Sequence, residues 1–299
     1  MMLSDKFLEK ARNELREDET RKEQALEHFR EWLNKHPYIK SIRQDDVFLL
    51  QFLRTKKYTM DKVFNTFENC ILAQKKYSKW FDFKDSDFDR MMELYQTGYI
   101  YPLAERDEDG RRIIFIQLRR LNPDYFTSAD AIRLSAVLSA SLLEEEETQI
   151  AGVATIIDHE GMTMKHTSLF SVADIVDFAD CLKNAVGRYK QLFLVNLPSF
   201  AVFLLDVARS TLSDKLKKRI VLPKNMDDLK NYINPSMLPK EYGGDLPEAE
   251  HMEIFNQYFR SVRPNLEEIR ARVIDWTKVP NFKTSESEAV GSFRKLEID

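Results

Sequence analysis

The chain predicts an α/β lobe with a mainly parallel sheet, preceded by an all-helical lobe, and three observations carry that prediction. Up to about residue 90 the apolar residues recur only at spacings of three and four. From about residue 97 short continuous apolar runs take over: the stretch Arg112 to Arg119 after a DEDG turn, AGVATIID at 151–158 and QLFLVN at 191–196. β-Branched runs of that length suit parallel strands buried on both faces. The third observation is what separates them. Two helical patterns, 128–147 and 168–183, have the length of right-handed crossovers between parallel strands.

Taken in order, Leu26, Phe29 and Leu33 form one amphipathic stripe that must stop at His36-Pro37. Val47, Leu50 and Leu53 form a second, capped by Asp45 or Asp46. A third, capped by Thr59, buries Val63, Phe67, Cys70, Ile71 and Tyr77. Arg54, Lys56 and Lys57 project charge from the corner between two of these helices, either to cap a helix end or to bind. Residues 220–222 read as a fourth strand. Beyond Pro247, Met252, Phe255, Phe259 and Val262 share one helical face. A further helix is expected from Asn265, with Glu268 completing an N-x-x-E box, to Trp276. The division is therefore 1–90, 91–248, 249–276 and a tail at 277–299 rich in Ser, Glu and Lys.

Composition excludes several classes. No run of about 20 apolar residues exists to span a bilayer, and the charged N-terminus is no secretory signal. Cys70 and Cys181 read as free buried thiols, which points to a cytoplasmic protein. A pI near 5.9 argues against nucleic acid as a partner. No GxGxxG, P-loop or GxSxG motif is present, and the five histidines lack metal-ligand spacing, so neither cofactor, metal nor enzyme chemistry is expected. Asp158 and Glu160 stand at a strand's carboxyl end, where α/β enzymes place chemistry, but a turn before Gly161 explains them more simply. The acidic run Glu144–Glu147 falls at the end of the expected 128–147 helix. There the dipole disfavours it, so it reads as a solvated end.

Positive charge is instead concentrated between Arg188 and Lys230, with nine Lys or Arg against four Asp or Glu. Within this stretch Phe200, Phe203, Leu204 and Val207 share one helical face, and Lys215, Lys217, Lys218 and Arg219 follow directly. An ordinary core helix followed by a solvated one explains that order. So does a lid whose oily face covers a lipid while its basic neighbour meets anionic headgroups. Ser135 and Ser139, set among apolar residues with Ile132 on the first crossover helix, either line an oily cavity or bond back to their own helix.

Five motifs in order, DDVFLLQFLRTKKY (45–58), IIDHEGM (156–162), FLVNLPSFAVFL (193–204), LSDKLKKRI (212–220) and LPKEYGG (238–244), resemble the CRAL-TRIO lipid-transfer family. The match is closest to its tocopherol and retinaldehyde carriers and covers roughly residues 10–270. The resemblance implies a cytoplasmic carrier, transiently peripheral to membranes. Its helical N-terminal lobe and its α/β lobe, with sheet floor and helical gate, would enclose one small hydrophobic lipid, a tocopherol, retinoid or carotenoid. It implies a pocket lined by Ile132, Ser135, Ser139, Val153, Ile157, Phe170, Phe178, Leu182 and Leu192, under a lid of Phe200, Phe203, Leu204 and Val207. It also implies a headgroup site for a phosphatidylinositol bisphosphate at Lys56, Arg188, Lys215 and Arg219, which Lys190, Lys217 and Lys218 supplement. Two departures stand out: Leu197 replaces an acidic residue at the lid start, and Ile132 replaces an aromatic. A phosphoinositide-binding adaptor whose lipid is structural is the alternative function.

Overall fold

The computed structural model describes residues 3–82 and 84–280. Most of the expected 277–299 tail lies outside them. Helix α1 (Asp5–Lys10) runs into a π-turn, Ala11–Leu15, and is followed by α2 (Glu19–Asn34), capped by Asp18 accepting from the Arg21 amide. A short strand β1 (Ile39–Ser41) precedes α3 (Asp46–Thr55), whose Asp45 cap accepts from the Phe48 amide. Then come α4 (Met60–Lys76), α5 (Ser78–Phe81) and α6 (Asp85–Gln96). Thr59 supplies no side-chain cap to α4. Aromatic rings fill the core of α2, α3 and α4, where Phe29 meets Phe52 and Phe67 edge-on at 6.2 and 5.2 Å.

The α/β part begins with β2 (Ile100–Arg106), β3 (Arg112–Gln117), α7 (Ser128–Leu142), α8 (Glu146–Ala151) and β4 (Val153–Asp158). It continues with α9 (Met164–Leu169), α10 (Val172–Asn184), β5 (Tyr189–Val195), α11 (Val202–Thr211), α12 (Asp214–Lys217) and β6 (Ile220–Val221). Helices α13 (Met226–Leu229) and α14 (Glu248–Arg270) and strand β7 (Val273–Ile274) complete the elements.

The sheet runs β2-β3-β4-β5-β6, antiparallel only between β2 and β3. The four strands read from apolar runs are thus present and parallel, with α7 and α10 as crossovers. The strand absent from the reading, β2, contains Pro102 and two charged residues, which fits the edge it occupies. The helix expected to start at Asn265 is the end of α14, which runs through Pro264 without a break. Strand β7 pairs with β1, tying the segment after α14 to the helical lobe.

The acidic run is not a solvated end. Helix α7 stops at Leu142 and a new helix starts at Glu146, so Glu146 and Glu147 lie at an N-terminus, where the dipole favours them. Glu144 receives a bidentate pair from Arg43 at 2.6 and 2.9 Å, Glu145 pairs with Arg106 and Arg112, and Glu146 with Arg54. Arg43 and Arg54 belong to the helical lobe, so the run fastens the two lobes together. Arg54 is buried too, contrary to its reading as projecting charge.

Candidate functional site: an apolar cavity beside a basic cluster

One cross-strand row sets the floor of an apolar cavity that is partly open to solvent. Ile114 on β3 aligns with Thr155 on β4, Thr155 with Leu192 on β5, and Leu192 with Ile220 on β6, so all four point to one face. A second row, Ile100, Ile116 and Ile157, extends it. These residues border a cavity of about 650 Å³, a size that houses one lipid-like guest.

Helical stripes make the walls. On α7 and its C-cap, Ile132, Ser135, Ala136, Ser139, Ala140 and Leu143 face the cavity at spacings of three and four; on α10 Phe178, Cys181 and Leu182 do so. The helical lobe contributes the opposite wall, with Phe48, Gln51 and Phe52 from α3 and Phe67, Cys70, Ile71 and Gln74 from α4. Leu212 and Leu216 close the side next to β6. Burial pushes the Cys70 and Cys181 thiols up to about 11 and about 12, so both remain protonated and inert.

Seven of the nine expected pocket residues line this space: Ile132, Ser135, Ser139, Ile157, Phe178, Leu182 and Leu192. Val153 and Phe170 do not. Val153 shares the Thr155 face but opens its strand, beyond the cavity's end, and packs into the main core. Phe170 packs on core residues around Trp80 and Ile132. Ser135 Oγ donates back to the Ala131 carbonyl at 2.8 Å.

The four expected lid residues line none of it. Helix α11 packs against α10 and buries Leu205, with Ala201 buried in the turn before it. This is about one residue's rotation from the face read as the lid. Leu204 and Val207 are half-buried, and Phe200, Val202 and Phe203 are exposed, Phe203 to 60%. With Val172 and Val176 of α10 they leave an apolar exterior on these two helices.

Beside Leu216 and Ile220 the cations gather. Burial lowers the Lys56 pKa, and Lys215 and Lys62 lower it further. Arg219 is the main cause of the lowering at Lys215, with burial, Lys57 and Arg188 adding to it. Burial and then Arg188 lower Arg219. Lys215 therefore lies close enough to Lys56, Arg188 and Arg219 for the charges to repel, and a nearby anion would relieve that repulsion. Gly152, at φ +92°, admits this arrangement. A Cβ there would meet the Arg188 carbonyl oxygen at 2.3 Å. Lys217 stands apart, paired with Asp214 at 3.5 Å, and Lys218 is exposed.

Sequence reasoning missed Glu14, which occupies part of this site. Its carboxylate accepts from Arg188 at 2.5 Å and Lys190 at 3.0 Å, and pairs with Lys10 at 2.9 Å. Burial opposes its ionisation, but hydrogen bonds from Lys10, Lys190 and Arg188 prevail and hold its pKa at about 2. Its pKa is depressed on folding, so its stabilising contribution is complete above the ordinary value of 4.5 and lost as pH falls toward about 2. Denaturant titrations will accordingly separate the wild type from Glu14→Gln above pH 5 and bring them together near pH 2.

Asp158 and Glu160 serve structure. Asp158, buried, accepts from Asn196 at 2.8 Å, from the Tyr242 hydroxyl at 2.9 Å and from the Glu160 amide at 3.0 Å; Glu160 pairs with Arg119. Among the described residues no helix is long and apolar enough to cross a membrane, and no acidic, His or Cys group could hold a metal.

Residues 96–244 match the CRAL/TRIO domain family. Clavesin-2 of Homo sapiens is 29% identical over 257 residues, spanning 82% of this chain and 76% of that protein. Clavesin-1 of Xenopus laevis is 27% identical over 247 residues, spanning 82% and 74%. The crystal structure of Sfh5 superposes with a TM-score of 0.47 at 12% identity, covering 94% of this chain and 99% of that one.

Proposed function

The chain belongs to the CRAL-TRIO lipid-transfer family, and from that premise we propose that it is a cytoplasmic carrier of one isoprenoid-sized lipid, exchanged at membranes that contain phosphoinositides. It acts without catalysis and without a cofactor beyond its cargo. The observation that carries this reading is the cavity of about 650 Å³, floored by the Ile114–Ile220 row, with a cluster of mutually repelling cations at one end.

Magnitudes explain why exchange belongs at a membrane. A guest burying on the order of 500 Å² of apolar surface gains roughly 12 kcal/mol relative to water, at about 25 cal/mol per Å². Escape into water is correspondingly slow, whereas a bilayer receives the lipid without that cost. The exposed Phe200, in the turn before α11, and Val202 and Phe203 on that helix supply an apolar contact for such a surface. Lys56, Lys215 and Arg219 supply attraction of about 1 kcal/mol each near anionic lipid. Headgroup phosphates relieve their mutual repulsion and accept charge-assisted hydrogen bonds.

Solvent extraction of the purified protein followed by mass spectrometry tests the carrier reading. A stoichiometric apolar molecule is expected, together with transfer between vesicles that accelerates when a bisphosphorylated phosphoinositide is present. Bound lipid with no transfer at all would instead favour the adaptor. Lys215→Ala with Arg219→Ala will weaken binding to phosphoinositide vesicles about thirtyfold, two charges at about 1 kcal/mol each. Unchanged flotation of that variant would dismiss the basic cluster as the docking site. Glu14→Gln will act in the opposite direction, releasing Arg188 and Lys190 and tightening vesicle binding several-fold.

A further inference from the structure

Arg272 lies between α14 and β7, held against the helical lobe by the pairing of β7 with β1. It lines the apolar cavity, with Cys70 of α4 as its ionisable neighbour. Among the described residues it has neither an ion pair nor a hydrogen bond, in contrast to Arg43, Arg54 and Arg112, which are paired with carboxylates. Burial lowers its pKa, and only Cys70 pulls the other way. A guanidinium cannot discharge at any physiological pH, so a half-buried one without an anion is left with an uncompensated charge. One turn along α4 from Cys70, Gln74 lines the same cavity, and its Oε1 is buried without a hydrogen-bond donor. The wall from α4 to β7 thus offers a cation without an anion and an acceptor without a donor, both bordering a mainly apolar cavity whose rim also carries Asp85, Asp89, Arg263, Glu267 and Arg270.

We propose that the lipid held in this cavity is a single-chain lipid acid whose ionised carboxylate sits on Arg272. This rests on the carrier reading and narrows its cargo from neutral isoprenoids to acidic ones. The planar fork of the guanidinium matches a carboxylate in bidentate geometry. A single unpaired cation calls for a monoanion, and about 650 Å³ suits one chain. Gln74 Oε1 accepts from a hydroxyl or a water that solvates the head. Arg219, the guanidinium at the basic end, also borders the cavity but is engaged with the Tyr189 carbonyl.

The test uses the full chain, stripped of lipid, and two pairs of probes that differ only in the head: retinoic acid with retinol, and palmitate with hexadecanol. Tryptophan quenching is expected to show at least one acid bound about tenfold or more tightly than its alcohol. Arg272→Gln is expected to lower that acid's affinity about ten- to hundredfold, the range for hydrogen bonds to a charged group, and leave the alcohol unchanged. Arg272→Lys should retain part of the preference. Alcohols bound as tightly as acids, or Arg272→Gln weakening both heads equally in a protein with wild-type circular dichroism, would overturn the proposal and leave the carrier reading standing. Binding of none of the four probes would overturn it too. In that case the extracted lipid, if present, keeps the carrier reading alone, and its absence removes both.

Discussion

A protein carrying Ala136→Trp and Ala140→Phe will purify without lipid. Both alanines lie on the cavity stripe of α7, one turn apart, and neither makes a side-chain hydrogen bond that its replacement would break. The two rings would project over the Thr155–Leu192 part of the floor and divide the space a guest needs. Filling a void with apolar atoms adds dispersion contacts at little cost, so the fold should survive, with a melting temperature equal to or above that of the extracted wild type. Co-purifying lipid is expected to fall below about a tenth of the wild-type stoichiometry, with vesicle transfer falling alongside it. Lipid retained at full stoichiometry would mean that the guest lies elsewhere.

The largest loss of stability is expected from Arg54→Met. This arginine donates to Glu17 through Nε and Nη2 at 2.9 and 2.7 Å, to Glu146 at 2.9 Å and to Gln149 at 2.8 Å. Burial alone would lower its pKa, yet Glu17 and Glu146 raise it above the ordinary value. Removing one partner of a buried ionic cluster leaves the remaining charges uncompensated and costs about 3–5 kcal/mol. For a chain of this size that corresponds to a fall in melting temperature on the order of 10 °C. Adding Glu17→Gln and Glu146→Gln should recover about half of the loss, because the orphaned carboxylates are then neutral. A single variant as stable as the wild type would show that the Arg54 cluster contributes nothing to holding the lobes together.

How much of each feature is legible in the sequence depends on the distance over which that feature is determined. Strands β3 to β6 were visible because a buried parallel strand needs nothing but its own apolar run. Strand β2 was not, since Pro102, Glu105 and Arg106 mask its period. The pocket face of α7 was legible because Ile132, Ser135 and Ser139 recur at the helical period. The expected lid face and the buried edge differ by a single step: Leu204 and Leu205 are both apolar, and only the position of α10 decides which one is buried. The acidic run looks like a solvated end in sequence because its partners Arg43 and Arg54 lie about a hundred residues upstream, beyond any local pattern. Glu14 and Arg272 escaped for the same reason, one brought to Arg188 and the other to Cys70 only by the tertiary fold.

Strand β1, α3 and α4 are usually the part of such a chain one would trim away to obtain a minimal unit, and the matched region beginning at residue 96 invites that cut. Phe52, Phe67 and Ile71 would leave with them, and with those side chains one entire wall. What remained would be a dish rather than a flask, its greasy bottom open to the medium and prone to clump. The first ninety residues are in this sense part of the vessel, and a fragment without them would not hold cargo however faithfully its sheet folded.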